Sequence, residues 1–150
     1  MERNQMHRRL ANMKKSLLDQ GFLDEQFLRL EELQDASNPN FVEEVVTLYY
    51  RDSARLILNI QQSLDNIPLD FAKLDGHIHQ LKGSSSSIGD KKVKNECTKF
   101  HEHCHARNAD RCMRTFQQLQ KDYSILRNKL KTYFQLARQV GPIDMARRPK

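Results

Sequence analysis

The residues with the clearest chemical potential lie in the segment HQLKGSSSSIG, which begins at His79. A neutral imidazole is a nucleophile near neutral pH, because its ordinary pKa of about 6.5 leaves most of it unprotonated. Lys82 follows three residues later and would bring a positive charge to a phosphoryl group on that ring. Gly83 has no side chain that would keep another protein away. The spacing fits a phosphoryl acceptor, and it equally fits an ordinary surface histidine beside an incidental glycine.

The chemistry depends on whether the serine run is a linker or a helix. Apolar or small residues continue through it at steps of three and four, namely Phe71, Leu74, Ile78, Leu81, Ser85 and Ile88. A linker has no reason to keep that register, so a helix ending near Gly89 is predicted. At about 100° per residue, His79 and Gly83 face solvent and Lys82 lies beside them toward the core. A phosphate-binding loop is excluded, because Lys82 precedes Gly83 and no strand is predicted upstream.

Proline, glycine and apolar spacing predict an all-α protein with six helices. They cover about 4–19, a short stretch after Asp24, about 39–64, about 68–88, about 90–107 and about 108–140. Phe27, Leu30 and Leu33 are expected to face inward from the second helix. Pro39 and Pro68 are placed in the first turns of the third and fourth helices. Asp90 and Asn108 are expected to cap the fifth and sixth.

The last helix has the most regular apolar seam. Its members are Phe116, Leu119, Tyr123, Leu126, Leu130, Tyr133 and Ala137. A two-chain coiled coil is the competing interpretation, but three other amphipathic helices are available to cover this face. We therefore predict a four-helix up-down bundle with two additional N-terminal helices. A single domain is expected over 1–150, with N-terminal helices at about 4–35, the bundle at about 39–140 and a tail at 141–150.

Composition places the chain among soluble globular proteins, with 38% apolar and 29% charged residues in 150. No stretch approaches the ~20 apolar residues of a membrane span, and the N-terminus lacks the apolar part of a secretory signal. A protein kept inside the cell is therefore expected. The net charge of +6 suggests nucleic acid or an acidic partner, but the positive charges are scattered and decide little.

The segment CTKFHEHCH offers a second kind of chemistry, metal binding. Cys97, His101 and His105 recur at four-residue spacing. However, Cys97 and Cys104 continue an apolar stripe, which favours two core thiols over two ligands. Cys112 begins the apolar face of the last helix and is also expected in the core. No metal site is predicted, and reduced thiols are expected.

The segment HQLKGSSSSIG, followed by VKNEC, resembles the plant histidine-containing phosphotransfer (HPt) family, whose signature is His-Gln-x-Lys-Gly-Ser-Ser on a helix. The likeness spans about residues 4–140 and includes GFLDEQF, LQDASNPNFVEEVV, DFAKLDGHIHQ and CMRTFQQLQKDYSILRNKL. The resemblance implies that His79 is the phosphorylated histidine. By the same match, Lys82 and Gly83 stabilise the phosphate and admit the partner, and Gln80 is the motif glutamine beside them.

The resemblance also implies partners. A phosphoryl group would come from the receiver domain of a hybrid sensor histidine kinase and pass to an aspartate of a response regulator, in a relay of the cytokinin type. Such a phosphocarrier has histidine phosphotransfer activity but is not an autonomous ATP-dependent kinase. It would bind no cofactor itself, with Mg²⁺ held by the partner receiver domain. We expect a monomer in cytoplasm and nucleus, with no membrane and no nucleic acid as partner.

Two features depart from the family pattern, the charged triplet DKK at 90–92 and the basic net charge. Both leave the transfer site intact and leave partner preference open. Some relatives have lost the histidine and act as inhibitors, whereas this chain retains His79. The alternatives are a helical-bundle binding module, a basic nucleic-acid binder, or a signalling modulator that transfers nothing.

Overall fold

The computed structural model describes residues 2–141, and this part of the chain is built from six α-helices without a strand. They are α1 (Glu2–Asp19), α2 (Glu25–Leu33), α3 (Phe41–Asp65), α4 (Phe71–Ile88), α5 (Lys91–His105) and α6 (Ala109–Val140). The prediction of an all-α fold is confirmed. Apart from Gly141, the predicted tail lies outside the described residues.

Helices α3 to α6 form the bundle. Successive helices pack against one another, α6 also meets α3, and short connections make neighbours antiparallel. Helix α1 lies along α6, and α2 lies against α3 and α4. All seven residues of the predicted α6 seam are buried, as are the three cysteines. No helix among residues 2–141 has the length and apolar character needed to cross a membrane.

The two prolines predicted inside helices lie outside them. Helix α3 begins two residues after Pro39, and α4 begins three residues after Pro68. For α4 the reason is a better cap nearby, because the Asp70 carboxylate accepts a hydrogen bond from the Lys73 amide at 3.1 Å. This bond satisfies a first-turn N–H that a start at Pro68 would have left to other partners.

The predicted inward position of Leu33 is wrong, since its exposed fraction is 65%. The next residue, Gln34, is buried instead, and its side-chain oxygen accepts a hydrogen bond from the Val42 amide at 3.1 Å. Asn40, at the cap position of α3, makes no such side-chain bond. The chain therefore leaves the helix at Leu33 so that Gln34 can cap α3 from the preceding loop.

Ser85 continues the α4 seam into a buried polar network. Its hydroxyl lies 3.1 Å from the Tyr49 hydroxyl of α3, which donates to the Asp90 carboxylate at 2.8 Å. Asp90 caps α5 as predicted, through a bond from the Val93 amide. One tyrosine hydroxyl thus joins α3 to the end of α4 and the start of α5.

Asp90 should make the stability of the fold depend on pH. Its side chain is fully buried, and desolvation raises its pKa from 3.8 to about 7, although bonds from Tyr49 and Val93 oppose the shift. The folded state therefore holds a proton that the unfolded chain releases at lower pH. The stabilisation from this group is complete below the unfolded pKa and is lost as pH rises through the folded pKa.

We expect the free energy of unfolding of the wild type to fall relative to Asp90→Asn as pH rises from about 5 to 8. Asparagine keeps the capping oxygen but does not titrate, so the difference between the two proteins isolates the carboxyl group. Urea denaturation at several pH values measures it. If the free energies of unfolding of the two proteins changed in parallel with pH, Asp90 would not titrate in this range.

The turn between α4 and α5 is fixed by the N-terminal helices. Gly89 ends α4, as predicted, and does so in the left-handed conformation with φ of +80°. The Asp24 amide donates to the Gly89 carbonyl, and the Lys91 amide donates to the Phe22 carbonyl, each at 3.0 Å. These two bonds form a short antiparallel bridge that holds the α1–α2 connection against the end of α4.

The charged triplet at 90–92 is accommodated by this fold. Asp90 is buried in the hydroxyl network, and the Lys92 ammonium lies over the Phe22 ring, 4.1 Å from its centroid. Lys91 is exposed. Asp90 and Lys92 therefore contribute to packing at the α4–α5 turn, which the sequence did not reveal.

Candidate functional site

His79 lies in the middle of α4, on the side that faces away from the core. The ring is exposed, whereas its neighbour Ile78 and the following seam residue Leu81 are buried. The predicted exposure is therefore confirmed. Among residues 2–141, no side chain or backbone group forms a hydrogen bond or ion pair with the imidazole.

Lys82 lies one turn further along α4 and is half-buried, on the flank nearer the core as predicted. Burial raises the pKa of the Cys97 thiol on α5, and the positive charge of Lys82 opposes that rise. Within the described range, no carboxylate pairs with this ammonium. Gln80 is exposed next to His79. An imidazole and a cation thus lie within a turn of each other, each without a competing partner in that range.

Gly83 is exposed, and a Cβ added there would meet nothing within 4 Å. No neighbouring atom therefore requires a glycine at this position. The glycine nevertheless lowers the stability of the helix by about 1 kcal/mol relative to alanine. Gly76 is also exposed and equally free of neighbours. It precedes His79 by three residues, so bare backbone lies one turn before and one turn after the ring on the same side. We call Gly76, His79, Gln80, Lys82 and Gly83 the acceptor face.

The sequence analysis missed Gly76. Its signal was available as a second helix-interior glycine seven residues before Gly83, a spacing that returns to the same side of a helix. An unneeded glycine on each side of an exposed histidine indicates a surface kept flat, and a flat surface suits the approach of another folded protein.

The serine run does not form a phosphate cradle. The Ser86 hydroxyl donates to the Lys82 carbonyl at 2.9 Å, and the Ser87 hydroxyl donates to the Ser84 carbonyl at 2.6 Å. Bonds of this kind satisfy serine hydroxyls inside a helix. The run is therefore helix, as its register predicted, and it supports the acceptor face from one end.

The cysteines take no part in this site. Cys97 is fully buried, and burial raises the pKa of its thiol to about 12, so the thiol stays protonated at neutral pH. Burial also raises the pKa of the thiols of Cys104 and Cys112, whose sulfurs lie 3.9 Å apart in the core. The prediction that all three are core residues is confirmed.

Comparison with known proteins identifies related sequences. The sequence model of the Hpt domain family matches residues 44–129. The chain is 52% identical over 149 residues to pseudo histidine-containing phosphotransfer protein 5 of Oryza sativa subsp. japonica, covering 99% of this chain and 98% of that protein. It is 64% identical over 116 residues to histidine-containing phosphotransfer protein 4 of Arabidopsis thaliana, covering 77% and 91%.

The fold has relatives among solved structures. A histidine-containing phosphotransfer protein from Medicago truncatula superposes with a TM-score of 0.86 at 42% identity, over 96% of each chain. One from maize gives a TM-score of 0.85 at 40% identity, over 90% of this chain and 99% of that one. Sequence and fold therefore lead to the same group of proteins.

Proposed function

The chain belongs to the Hpt-domain family of histidine-containing phosphotransfer proteins, and from this we propose that it accepts a phosphoryl group on His79 and passes it on in a two-component phosphorelay. The observation that carries the proposal is the acceptor face. It combines an exposed imidazole, a nearby ammonium without a carboxylate partner among residues 2–141, and backbone bare of side chains at Gly83.

The proposed step is in-line phosphoryl transfer. The unprotonated ring nitrogen of His79 attacks the phosphorus of an aspartyl phosphate on the donor, an N–P bond forms, and the P–O bond to the donor breaks. The leaving carboxylate takes the electron pair, and the other ring nitrogen keeps its proton. Lys82 compensates negative charge on the transferred group. Transfer onward to an acceptor aspartate is the reverse reaction.

The partners we propose are receiver domains, first of a hybrid sensor histidine kinase and then of a response regulator in a cytokinin-type relay. The receiver would supply Mg²⁺ and the acidic pocket, so this chain needs no cofactor of its own and acts as a carrier, not as an ATP-dependent kinase. A monomer that works in both cytoplasm and nucleus fits this function, since the relay must connect a sensor to a regulator.

Incubation with a phosphorylated receiver domain tests the proposal. We expect acid-labile, base-stable phosphate on this chain, mapped to His79 by mass spectrometry, and none when the receiver lacks its phosphorylated aspartate. Phosphate at a different residue, or none at all, contradicts the assignment.

A signalling modulator that transfers nothing is the second candidate. It is favoured by the relatives named pseudo histidine-containing phosphotransfer proteins, two of which are 52% and 53% identical to this chain. The same incubation separates the two candidates, because a modulator would bind the receiver domain without removing its phosphate.

Gly83→Gln should slow transfer and leave the fold intact. The new side chain starts in open space, so it disturbs no contact in the bundle, but it extends over the surface where a receiver domain must approach His79. We expect transfer to be slower by roughly tenfold or more, since small displacements of reacting groups are costly. The rate is measured by mixing each variant with a phosphorylated receiver domain, quenching samples at successive times and quantifying the phosphate on each protein.

Gly76→Gln is the matched control for stability, because it makes the same change on the same side of α4. Both variants should gain about 0.5–1 kcal/mol in free energy of unfolding, since each replaces a helix-interior glycine. Unchanged transfer kinetics in Gly83→Gln would remove the proposed docking function of this position.

A further inference from the structure

A second cluster of reactive side chains lies where α4 packs against α5. It consists of Asp75 from α4 and of His101 and His105 from α5. The Asp75 Oδ1 atom lies 2.6 Å from His101 Nδ1, and Oδ2 lies 3.7 Å from His105 Nε2. The two rings are edge to face, with centroids 4.4 Å apart. Nothing in the phosphotransfer step uses these residues.

We propose that Asp75, His101 and His105 form a binding site for a divalent transition-metal ion, with zinc as the ion of first choice. Each residue contributes one ligand atom, and these atoms lie within 4.8 Å of one another. Ligand atoms around a tetrahedral zinc ion are about 3.3 Å apart, given Zn–N and Zn–O distances of about 2.0–2.1 Å. The two measured distances, 2.6 Å and 3.7 Å, run to different oxygens of Asp75. Binding through a single oxygen therefore requires the carboxylate to rotate and to move away from His101, by a few tenths of an ångström to about 1 Å.

The ligand types select the class of metal. Two imidazoles with one carboxylate suit zinc and its neighbours in the first transition series, whereas magnesium and calcium prefer oxygen ligands throughout. Three protein ligands leave a fourth position for water. His101 and His105 are four residues apart on one side of a helix, so α5 holds them in a geometry that chelates.

Electrostatics also favours a cation here. The Asp75 side chain is 28% exposed, and its ion-pair partners among residues 2–141 are these two histidines. No lysine or arginine in that range neutralises the carboxylate. A dication would do so while the imidazoles stay neutral, which is the form in which histidine binds metals.

The sequence offered a different ligand set at this place. The spacing of Cys97, His101 and His105 raised a cysteine as a possible donor, but the apolar stripe favoured core thiols and no metal site was predicted; Cys97 is indeed fully buried. Asp75 takes the third position from the neighbouring helix. It precedes His79 by four residues, so a bound ion would tie α4 to α5 one turn from His79 and next to Gly76 of the acceptor face, by a chemistry that does not depend on phosphotransfer.

The test uses the full chain without a histidine tag, under a reductant that does not bind metals. Calorimetric titration with zinc chloride should show one equivalent bound per chain. Loss of a residue that merely hydrogen-bonds a metal ligand typically lowers metal affinity by roughly tenfold to hundredfold. The double variant His101→Gln/His105→Gln removes two ligands, so its affinity for zinc should fall by at least that much. Both side chains are largely exposed, so the variant should fold.

Two further variants complete the design. Asp75→Asn should weaken zinc binding. His103→Ala should leave it unchanged, because His103 lies two residues from each histidine ligand and therefore faces away from both on the helix. As a second measurement, zinc should raise the midpoint of thermal unfolding of the wild type but not of the double variant. Stoichiometric binding that persists in the double variant, or no binding by the wild type, overturns the proposal.

Discussion

His79→Gln is expected to accept no phosphoryl group from a phosphorylated receiver domain while the bundle stays folded. An amide nitrogen is not a nucleophile, so the substitution removes the attacking atom itself. The free energy of unfolding should stay within about 0.5 kcal/mol of the wild type, because the ring is exposed and has no partner in the described range. Electrophoresis of the acid-labile phosphoprotein measures acceptance, and urea denaturation measures stability.

The control for this prediction is His77→Gln, which makes the same change two residues away on the half-buried side of α4. That variant should accept phosphate like the wild type. If His79→Gln were phosphorylated as fully as the wild type, the acceptor would be elsewhere and the proposed function of the acceptor face would fail.

Among the single substitutions proposed, Gly89→Ala is expected to cause the largest decrease in the free energy of unfolding. The residue has φ of +80°, and an added Cβ would lie 2.6 Å from Asp24 Oδ1 and 2.9 Å from the Phe27 amide nitrogen. Neither neighbour can yield cheaply, because the Asp24 carboxylate caps α2 and the Phe27 amide is helix backbone. Left-handed strain and the collision together should cost about 2–5 kcal/mol.

Gly21→Ala separates the two causes. Gly21 also has positive φ, +76°, but a Cβ there would meet nothing within 4 Å. Its cost should therefore be the backbone strain alone, about 1–2 kcal/mol. Urea denaturation of both variants gives the comparison, and equal losses would show that α2 moves aside for the methyl group at Gly89.

The sequence predicted the features that follow from helical periodicity, namely which residues of each helix are buried and which are exposed. The register of α4 located the exposed side of His79 and the buried position of Ser85, because core residues recur at three and four. The conventional caps Asp90 and Asn108 were also found, since each sits at the junction of two periodic segments. The family resemblance then assigned Lys82 and Gly83 their expected functions.

What could not be predicted depends on contacts between distant segments. The bond between Ser85 and Tyr49 joins residues 36 apart, and the pair of Asp75 and His101 is separated by 26. Such pairs require the packing of two helices to be known, which local spacing does not specify. The wrong inward position of Leu33 has the same origin, since Gln34 turns inward to reach α3.

The short bridge between the α1–α2 connection and the α4–α5 turn bears on where this domain truly begins. The sequence model of the Hpt domain matches only 44–129, yet the backbone groups of Gly89 and Lys91 find their partners at Asp24 and Phe22. A fragment trimmed to the matched stretch would lose those partners, the helix that covers α6, and the last turns of α6 itself. A fragment that keeps the surroundings of His79 as they are in the whole chain should therefore start upstream of the stretch matched by the family model and end beyond it.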